Sequence, residues 1–538
     1  MATQRTDQQY NISHVFGGGW ATDFGQSFMG SPQMAGRDGR IVIPFLTDAR
    51  NTVFEFDGGI RKAPGTTRLN STDVSAGGSN DILGLYDYWR MGTSGSATQR
   101  RILHVGTAIM EDQGNGTFQN LFTGLENGLI PHYDTFNDLL IIGSSSTVDV
   151  PRSWDGTTAQ NLAGSPPRFS FSVHHKNRQW AAGVWTTPSR LYYSVAGNPE
   201  DWTGNGSGSL DLDISDGDMI TGIASHKDRL FVFKGPYRGS IHIITGSTPT
   251  GNDAFVRTTF VRNLPVGWIN AVFPFADDLG FITARGTVHS VASTSAYGDF
   301  NQAYLTYPIG MHCREEMNHS RARFWWAVSN PNLGQTWILY TGSGQTTNNR
   351  MLIMDYRFLA QGERYPRWSY WDSRAFGSLA LVIDTNNRPR LMAGGYDGYV
   401  YKLENQTRDD TGSAITQRVT TPFLTYGDEW HMKTLFAVGL NMRPYNNNAI
   451  TVGWQRDGQA AQSTTITQGG GGFLLDTDVL GTGVLGGAGR FITRFASLEE
   501  GGEFRYIQYD FQEANASTDC ELHGFASAIE PGGVSWEN

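Results

Sequence analysis

A pattern of short apolar runs, each followed by a glycine-containing turn and a second alternating run, repeats along most of this chain. The runs include "RILHVGTAIM" (101–110), "DLLIIGSSSTVDV" (138–150), "RQWAAGVW" continuing to "RLYYSV" (178–195), and "DRLFVFKG" continuing to "SIHIITG" (228–246). "LGFITARGTVHSVA" (279–292), "RFWWAVSN" continuing to "TWILYTG" (323–342) and "PRLMAGGYDGYVYKL" (389–403) complete the series. Their starts lie roughly 40–50 residues apart, the period of four-stranded propeller blades. The last interval is longer and implies an insertion. Asp57-Gly58, Asp155-Gly156, Asp216-Gly217 and Asp397-Gly398 are the clearest turns, read as two-residue hairpins because glycine accepts a positive φ without steric cost. In "GGYDGYVYKL", Tyr399 and Tyr401 share one face and Val400 takes the other, the period-two signal of a half-buried strand.

Composition agrees with an all-β chain. Charged residues are 17% and aromatic residues 12% of the 538, with 66 glycines. Few charges, many aromatics and many turn formers suit closely spaced hairpins and exclude disorder. The expected fold is therefore a β-propeller of about six or seven blades over 40–405. An extended N-terminal arm (1–39) precedes it. After a polar linker, "ENQTRDDTGS", an antiparallel β-sandwich occupies 416–538, with a Gly-rich loop at 468–489. The formal net charge of −10 argues against tight wrapping of nucleic acid. Cys313 and Cys520 are too few and too separated for a disulfide framework or zinc cluster. The longest apolar runs, "IVIPFL" (41–46) and "LALVI" (379–383), are of strand length and cannot span a bilayer; with no signal-peptide pattern at the N-terminus, a soluble protein made in a cytoplasm is expected.

Four stretches invite a chemical reading. In "DLDISDGD", Asp211, Asp213, Asp216 and Asp218 resemble a calcium loop but break its spacing, and a strand end with a tight turn explains them. Glu200 and Asp201 in "NPEDW" are adjacent, so they point apart rather than across a sugar pocket. The same segment reads as a strand leaving its sheet through a Gly-Asn-Pro turn, with Trp202 tucked back as a cap. His174 and His175 in "HHKNRQW" face opposite sides of a strand, poor geometry for a metal, and the segment reads as a charged edge strand with Trp180 entering the core. The tryptophans of "FWWAV" (324–328) and "WSYW" (368–371) read as packing between blades rather than stacking platforms. No phosphate-binding loop, nucleophile elbow or His-Glu-x-x-His motif occurs. No catalytic, cofactor-binding or metal-binding residue is therefore assigned, and no enzymatic activity is expected.

Several segments, taken in order, resemble one known family. "FEFDGGIRKAPGTTRL" (54–69), "NDLLIIGSSSTVDVPRSWDG" (137–156), "HKNRQWAAG" (175–183), "RLYYSVAGNPEDW" (190–202), "DISDGDMITGIASHKDRLFVFKG" (213–235) and "SIHIITG" (240–246) are similar to the β-propeller tail nozzle, or head-to-tail stabilisation, proteins of tailed bacteriophages. The resemblance covers 40–250 and extends to the rest through architecture alone. It implies a structural virion protein in the tail, forming a ring, typically sixfold, below the portal and adaptor. Such a ring extends and closes the DNA channel, lets DNA pass without specific binding, and contacts other tail proteins. A glycan-binding tail protein, or a phage-associated glycoside hydrolase, is the alternative.

Overall fold

The computed structural model describes residues 10–23, 41–43, 45–92, 95–114, 116–297, 304–372, 374–405, 407–443, 445, 449–468, 492–498, 502–516 and 518–532. They fall into two compact units: Thr67–Leu352 with Ser373–Leu403, and Met1–Thr66 with Ile353–Asp372 and Glu404–Asn538.

The first unit is a β-propeller. Its first blade is the antiparallel meander Ile82–Arg90, Thr98–Val105, Ala108–Asp112 and Phe118–Phe122. The second blade comprises Pro131–Phe136, Leu139–Ser144, Arg152–Trp154 and Ala159–Asn161; the third comprises Phe171–His175, Arg178–Ala182, Arg190–Tyr193 and Gly208–Asp211. Met219–His226, Arg229–Gly235, Ser240–Thr245 and Val256–Arg262 form the fourth. The fifth has three strands, Val272–Phe275, Asp278–Ile282 and Val288–Ser290, and runs into the short helix Val291–Tyr297. Trp326–Asn330 pairs with Gln335–Tyr340 in the sixth, and Phe376–Ile383, Pro389–Gly395 and Val400–Asn405 build the seventh.

The first strands of these sheets follow one another in contact, and the seventh returns to the first. At that seam Ser378 Oγ donates to the Ile82 carbonyl at 2.9 Å and Ile383 N–H to Asp87 Oδ2 at 2.9 Å. A Cβ at Gly377 would lie 2.5 Å from the Ile82 carbonyl, so the strands close only because that position lacks one. Apolar side chains fill the spaces between blades. Phe171, Trp180 and Leu191 of the third blade pack with Ile220, Ile223, Leu230 and Val232 of the fourth, all nearly inaccessible. Each such side chain contributes about 1.5–3 kcal/mol of burial free energy. The tryptophans read as packing between blades are buried, Trp325 at 0% and Trp326 at 8% exposure in the propeller, but Trp368 at 0% and Trp371 at 1% belong to the second unit and not to a blade.

The four Asp-Gly pairs all turn the chain, with Gly58, Gly156, Gly217 and Gly398 at φ between +80° and +88°. Each aspartate accepts the N–H two residues on: Gly59, Thr157, Asp218 and Tyr399. They are not two-residue hairpins, however. The Asp155 turn occupies 155–158 and the Asp397 turn 396–399, while Asp216 lies in the connection between the third and fourth blades. In the second, third and fourth blades, two-residue turns with both φ positive, Asn137-Asp138, Lys176-Asn177 and Lys227-Asp228, join the first and second strands.

The second unit holds two sheets. In one, Glu521–Pro531 lies between Tyr10–Phe16 and Lys433–Arg443, with Ile492–Ser497 beyond, and Thr52–Phe54 pairs with Ile60–Lys62, which meets Glu521 and Leu522. In the other, the order is Asp48–Arg50, Gln417–Thr420, Ile507–Glu513, Ala449–Arg456 and Gln462–Thr467. Rings from both sheets meet: Phe511 and Phe525 at 5.2 Å, Tyr509 and Phe525 at 5.0 Å, and Phe16 and Phe511 at 6.3 Å between centroids. Lys62 and Glu513, both buried, form an ion pair at 2.6 Å, and the lysine also donates to the Asn515 carbonyl at 2.7 Å.

This arrangement departs from the expected boundaries. Residues 48–62 pair with C-terminal strands, so the propeller unit starts at Thr67 rather than 40, and residues 353–372 leave it. Part of the expected extended arm is a sheet strand, Tyr10–Phe16, because Glu521–Pro531 offers it an antiparallel ladder. Nearly all of the Gly-rich loop at 468–489 lies outside the described residues.

Candidate functional site

Around the propeller axis the inner strands leave a cavity of about 310 Å³. Its wall includes Tyr86, Asp87, His132, Asn270 and Trp326. Asp87 is held by Gln99 Nε2 at 2.7 Å, Trp89 Nε1 at 3.0 Å and Ile383 N–H at 2.9 Å. Its carboxylate therefore stitches the ring rather than facing an opposed acid. Burial depresses His132 to about pH 4, leaving a neutral imidazole at physiological pH.

The acidic stretch 211–218 contains a cation of the chain's own. Lys234, fully buried on the second strand of the fourth blade, donates to the Leu212 carbonyl at 2.8 Å, the Asp213 carbonyl at 2.9 Å and Asp216 Oδ2 at 2.7 Å. Two carbonyls and a carboxylate are the oxygen set a calcium ion would ask for, and here they hold an ammonium. Asp218 accepts the backbone N–H groups of Tyr237, Arg238 and Gly239 at 2.7–3.1 Å and clamps the next turn. Asp211 takes a two-point bond from Arg190 at 2.6 and 2.9 Å. Asp213 pairs with Arg257 at 3.1 Å and Arg262 at 3.3 Å.

The NPEDW loop is internally satisfied at most of its polar groups. Asn198 Oδ1 accepts Glu200 N–H at 3.0 Å, Asp201 Oδ1 accepts Gly204 N–H at 2.8 Å, and Trp202 Nε1 donates to the Pro199 carbonyl at 2.9 Å. Trp202, 8% exposed, packs on Phe169 with centroids 5.7 Å apart, the cap that the turn chemistry implied. Glu200 Oε1 is buried without a hydrogen-bond partner among the described residues. The two histidines do face apart: His174 lies against the Phe136 ring at 4.2 Å and His175 Nδ1 meets Ser225 Oγ at 2.8 Å. Their strand is the edge of its four-stranded sheet, as expected, but it is the inner edge. Phe171–His175 is the innermost strand of its blade, and its histidines bridge to the blades on either side.

One constellation escaped the sequence. In the second unit, Glu521 and His523 lie two residues apart on strand Glu521–Pro531, and Asp57 comes from the turn before Ile60–Lys62. A ligand atom from each lies within 4.8 Å of the others. His523 Nε2 and Glu521 Oε1 are 2.7 Å apart, and Tyr445 OH donates to Glu521 Oε2 at 2.5 Å. Those bonds, with Arg443 at 3.8 Å, hold the Glu521 carboxyl below its ordinary pKa despite burial. No run of neighbouring residues signals this group, because Asp57 and Glu521 sit at opposite ends of the chain.

The fold and these sites define a β-propeller protein with an additional two-sheet unit. No family model matches the chain, and no curated protein matches it. Solved propellers do. YCF48 from Cyanidioschyzon merolae aligns at 10% identity and a TM-score of 0.36, over 63% of this chain and 98% of its own. XC5397 from Xanthomonas campestris, described as a gluconolactonase, aligns at 10% identity and a TM-score of 0.31, over 66% and 94%. The exo-β-1,3-galactanase of Phanerochaete chrysosporium aligns at 9% identity and a TM-score of 0.26, over 87% and 100%. Likeness at this level says nothing of activity. Among the described residues, no helix is long and apolar enough to cross a membrane.

Proposed function

We propose that this chain is a structural virion protein of a tailed bacteriophage, a nozzle or hub whose copies form a ring, sixfold in the family it resembles, below the portal and adaptor. The observation that carries this reading is the destination of the acidic groups. Asp211, Asp213, Asp216 and Asp218 are bonded inward to Arg190, Arg257, Arg262, Lys234 and three backbone N–H groups. Charges placed this way brace the third and fourth blades, and these four acids are committed to the fold rather than presented to a substrate. A propeller is rigid and presents few open strand edges, which suits mechanical duty. A ring needs heterologous contacts between neighbouring copies, and a two-sheet unit beside the propeller sequence offers a second surface for them. A net charge of −10 disfavours sticking of the duplex as it passes.

Particles assembled without this chain test the reading. Heads should package DNA and then lose it, scored as nuclease-sensitive DNA released from filled heads. A glycan-binding tail protein predicts the opposite pairing: DNA retained and adsorption to cells lost. That second result would overturn the structural role.

A further inference from the structure

We propose that Asp57, Glu521 and His523 form a binding site for a divalent first-row transition ion such as Zn²⁺ or Mn²⁺. Three features carry the assignment. The first is placement. Residues two apart on a strand share a face, so Glu521 and His523 project together, unlike the adjacent His174 and His175. The turn carrying Asp57 supplies a third donor from across the ladder between Ile60 and Leu522, and donor atoms of all three already lie within 4.8 Å. The second is orientation. Tyr445 OH fixes one oxygen of Glu521 at 2.5 Å, the kind of outer hydrogen bond that sets a ligating carboxylate, and Glu521 and His523 are buried while Asp57 opens to solvent as the entry side.

The third feature is charge, and it is independent of the cluster's geometry. The neighbouring Asp519 is neutralised by Arg61 at 2.5 Å and Arg408 at 3.1 Å. Asp57 makes no ion pair among the described residues, its only hydrogen bond there coming from the Gly59 N–H. The hairpin tip thus presents the Asp57 carboxylate without a paired cation among the described residues. One imidazole with carboxylate oxygens suits Zn²⁺ or Mn²⁺; Ca²⁺ and Mg²⁺ prefer all-oxygen sets. Binding replaces the hydrogen bond between His523 Nε2 and Glu521 Oε1: with the neutral imidazole's proton on Nδ1, Nε2 and the carboxylate oxygen each donate a lone pair to the ion. The ion would clip the 55–59 turn to strand Glu521–Pro531.

Calorimetric titration of the metal-free full-length chain with ZnCl₂ and MnCl₂ tests this, with CaCl₂ and MgCl₂ in parallel. One Zn²⁺ or Mn²⁺ per chain is expected, with a higher Tm in its presence. D57N removes an exposed carboxylate that supports no ion pair and should fold normally while weakening the ion at least about tenfold, the scale of losing one good interaction. H523Q should weaken it further. Absence of saturable Zn²⁺ or Mn²⁺ binding up to millimolar concentration would overturn the site. So would affinity unchanged in D57N and H523Q, or binding confined to Ca²⁺ and Mg²⁺.

Discussion

Replacing Lys234 with methionine should lower the unfolding free energy of the propeller by about 3 kcal/mol, read from the denaturant midpoint at unchanged slope. The side chain is fully buried, and its ammonium satisfies the Leu212 and Asp213 carbonyls and the Asp216 carboxylate. Methionine fills a similar volume, so the loss isolates the polar contacts from a cavity effect. Breaking a buried ion pair costs about 3–5 kcal/mol. The lower end applies here because the Asp216 side chain is 30% exposed and recovers water when the lysine is gone. Asp216→Asn should cost clearly less, since the carbonyls keep their donor. If the 211–218 loop served a calcium ion instead, Lys234→Met would be mild and calcium would raise the stability of that variant. Neither is expected.

Acid should unfold the propeller in a defined window. Burial depresses His104, His132 and His175 to about 4 and His289 and His312 to about 3, all in the first unit. Unfolded histidines titrate near 6.5. Between pH 6.5 and 4 the unfolded chain therefore binds five protons that the native state refuses, and stability falls as pH falls. Asp134 works the other way. Burial raises it to about 6, so the native state takes up a proton below pH 6 that the unfolded chain, with its aspartate near 3.8, does not. Net, four protons favour the unfolded state, a slope of about 5 kcal/mol per pH unit between pH 6 and 4. Denaturation at fixed pH steps should show this fall. His104→Phe, which replaces a buried imidazole whose two nitrogens have no partner among the described residues, should flatten the slope by about a quarter.

The propeller was legible because its information is local. Each blade is a meander of hairpins, so the alternation in "YVYKL" and the spacing of the runs carry the architecture, and all four Asp-Gly pairs do turn at a left-handed glycine. Reading turns through glycine alone still misplaced the tightest ones. Asn137-Asp138, Lys176-Asn177 and Lys227-Asp228 contain none, yet adopt positive φ at both positions, which asparagine and aspartate tolerate better than other side chains. The lysines at two of those turns carry no sequence signal for the conformation. The edge position of His174 and His175 was legible, but not that this edge faces the neighbouring blades, where one imidazole covers a phenylalanine and the other bonds Ser225.

What the sequence concealed is long-range pairing. Asp48–Arg50 finds Gln417–Thr420, Lys62 finds Glu513, and Asp57 finds Glu521 and His523, none of which a local pattern can announce. Those pairings move the unit boundary from 40 to 67. The acidic loop failed for a related reason. Its cation, Lys234, lies on the strand after next, so four aspartates looked unaccompanied when read along the chain.

Electron cryomicroscopy of the intact phage tail tests the structural assignment most directly. The account predicts copies of this propeller and its two-sheet unit arranged as a closed ring on the tail axis, with DNA density or its channel running through the middle. Copies found singly at the periphery, off the axis and away from the channel, would contradict it.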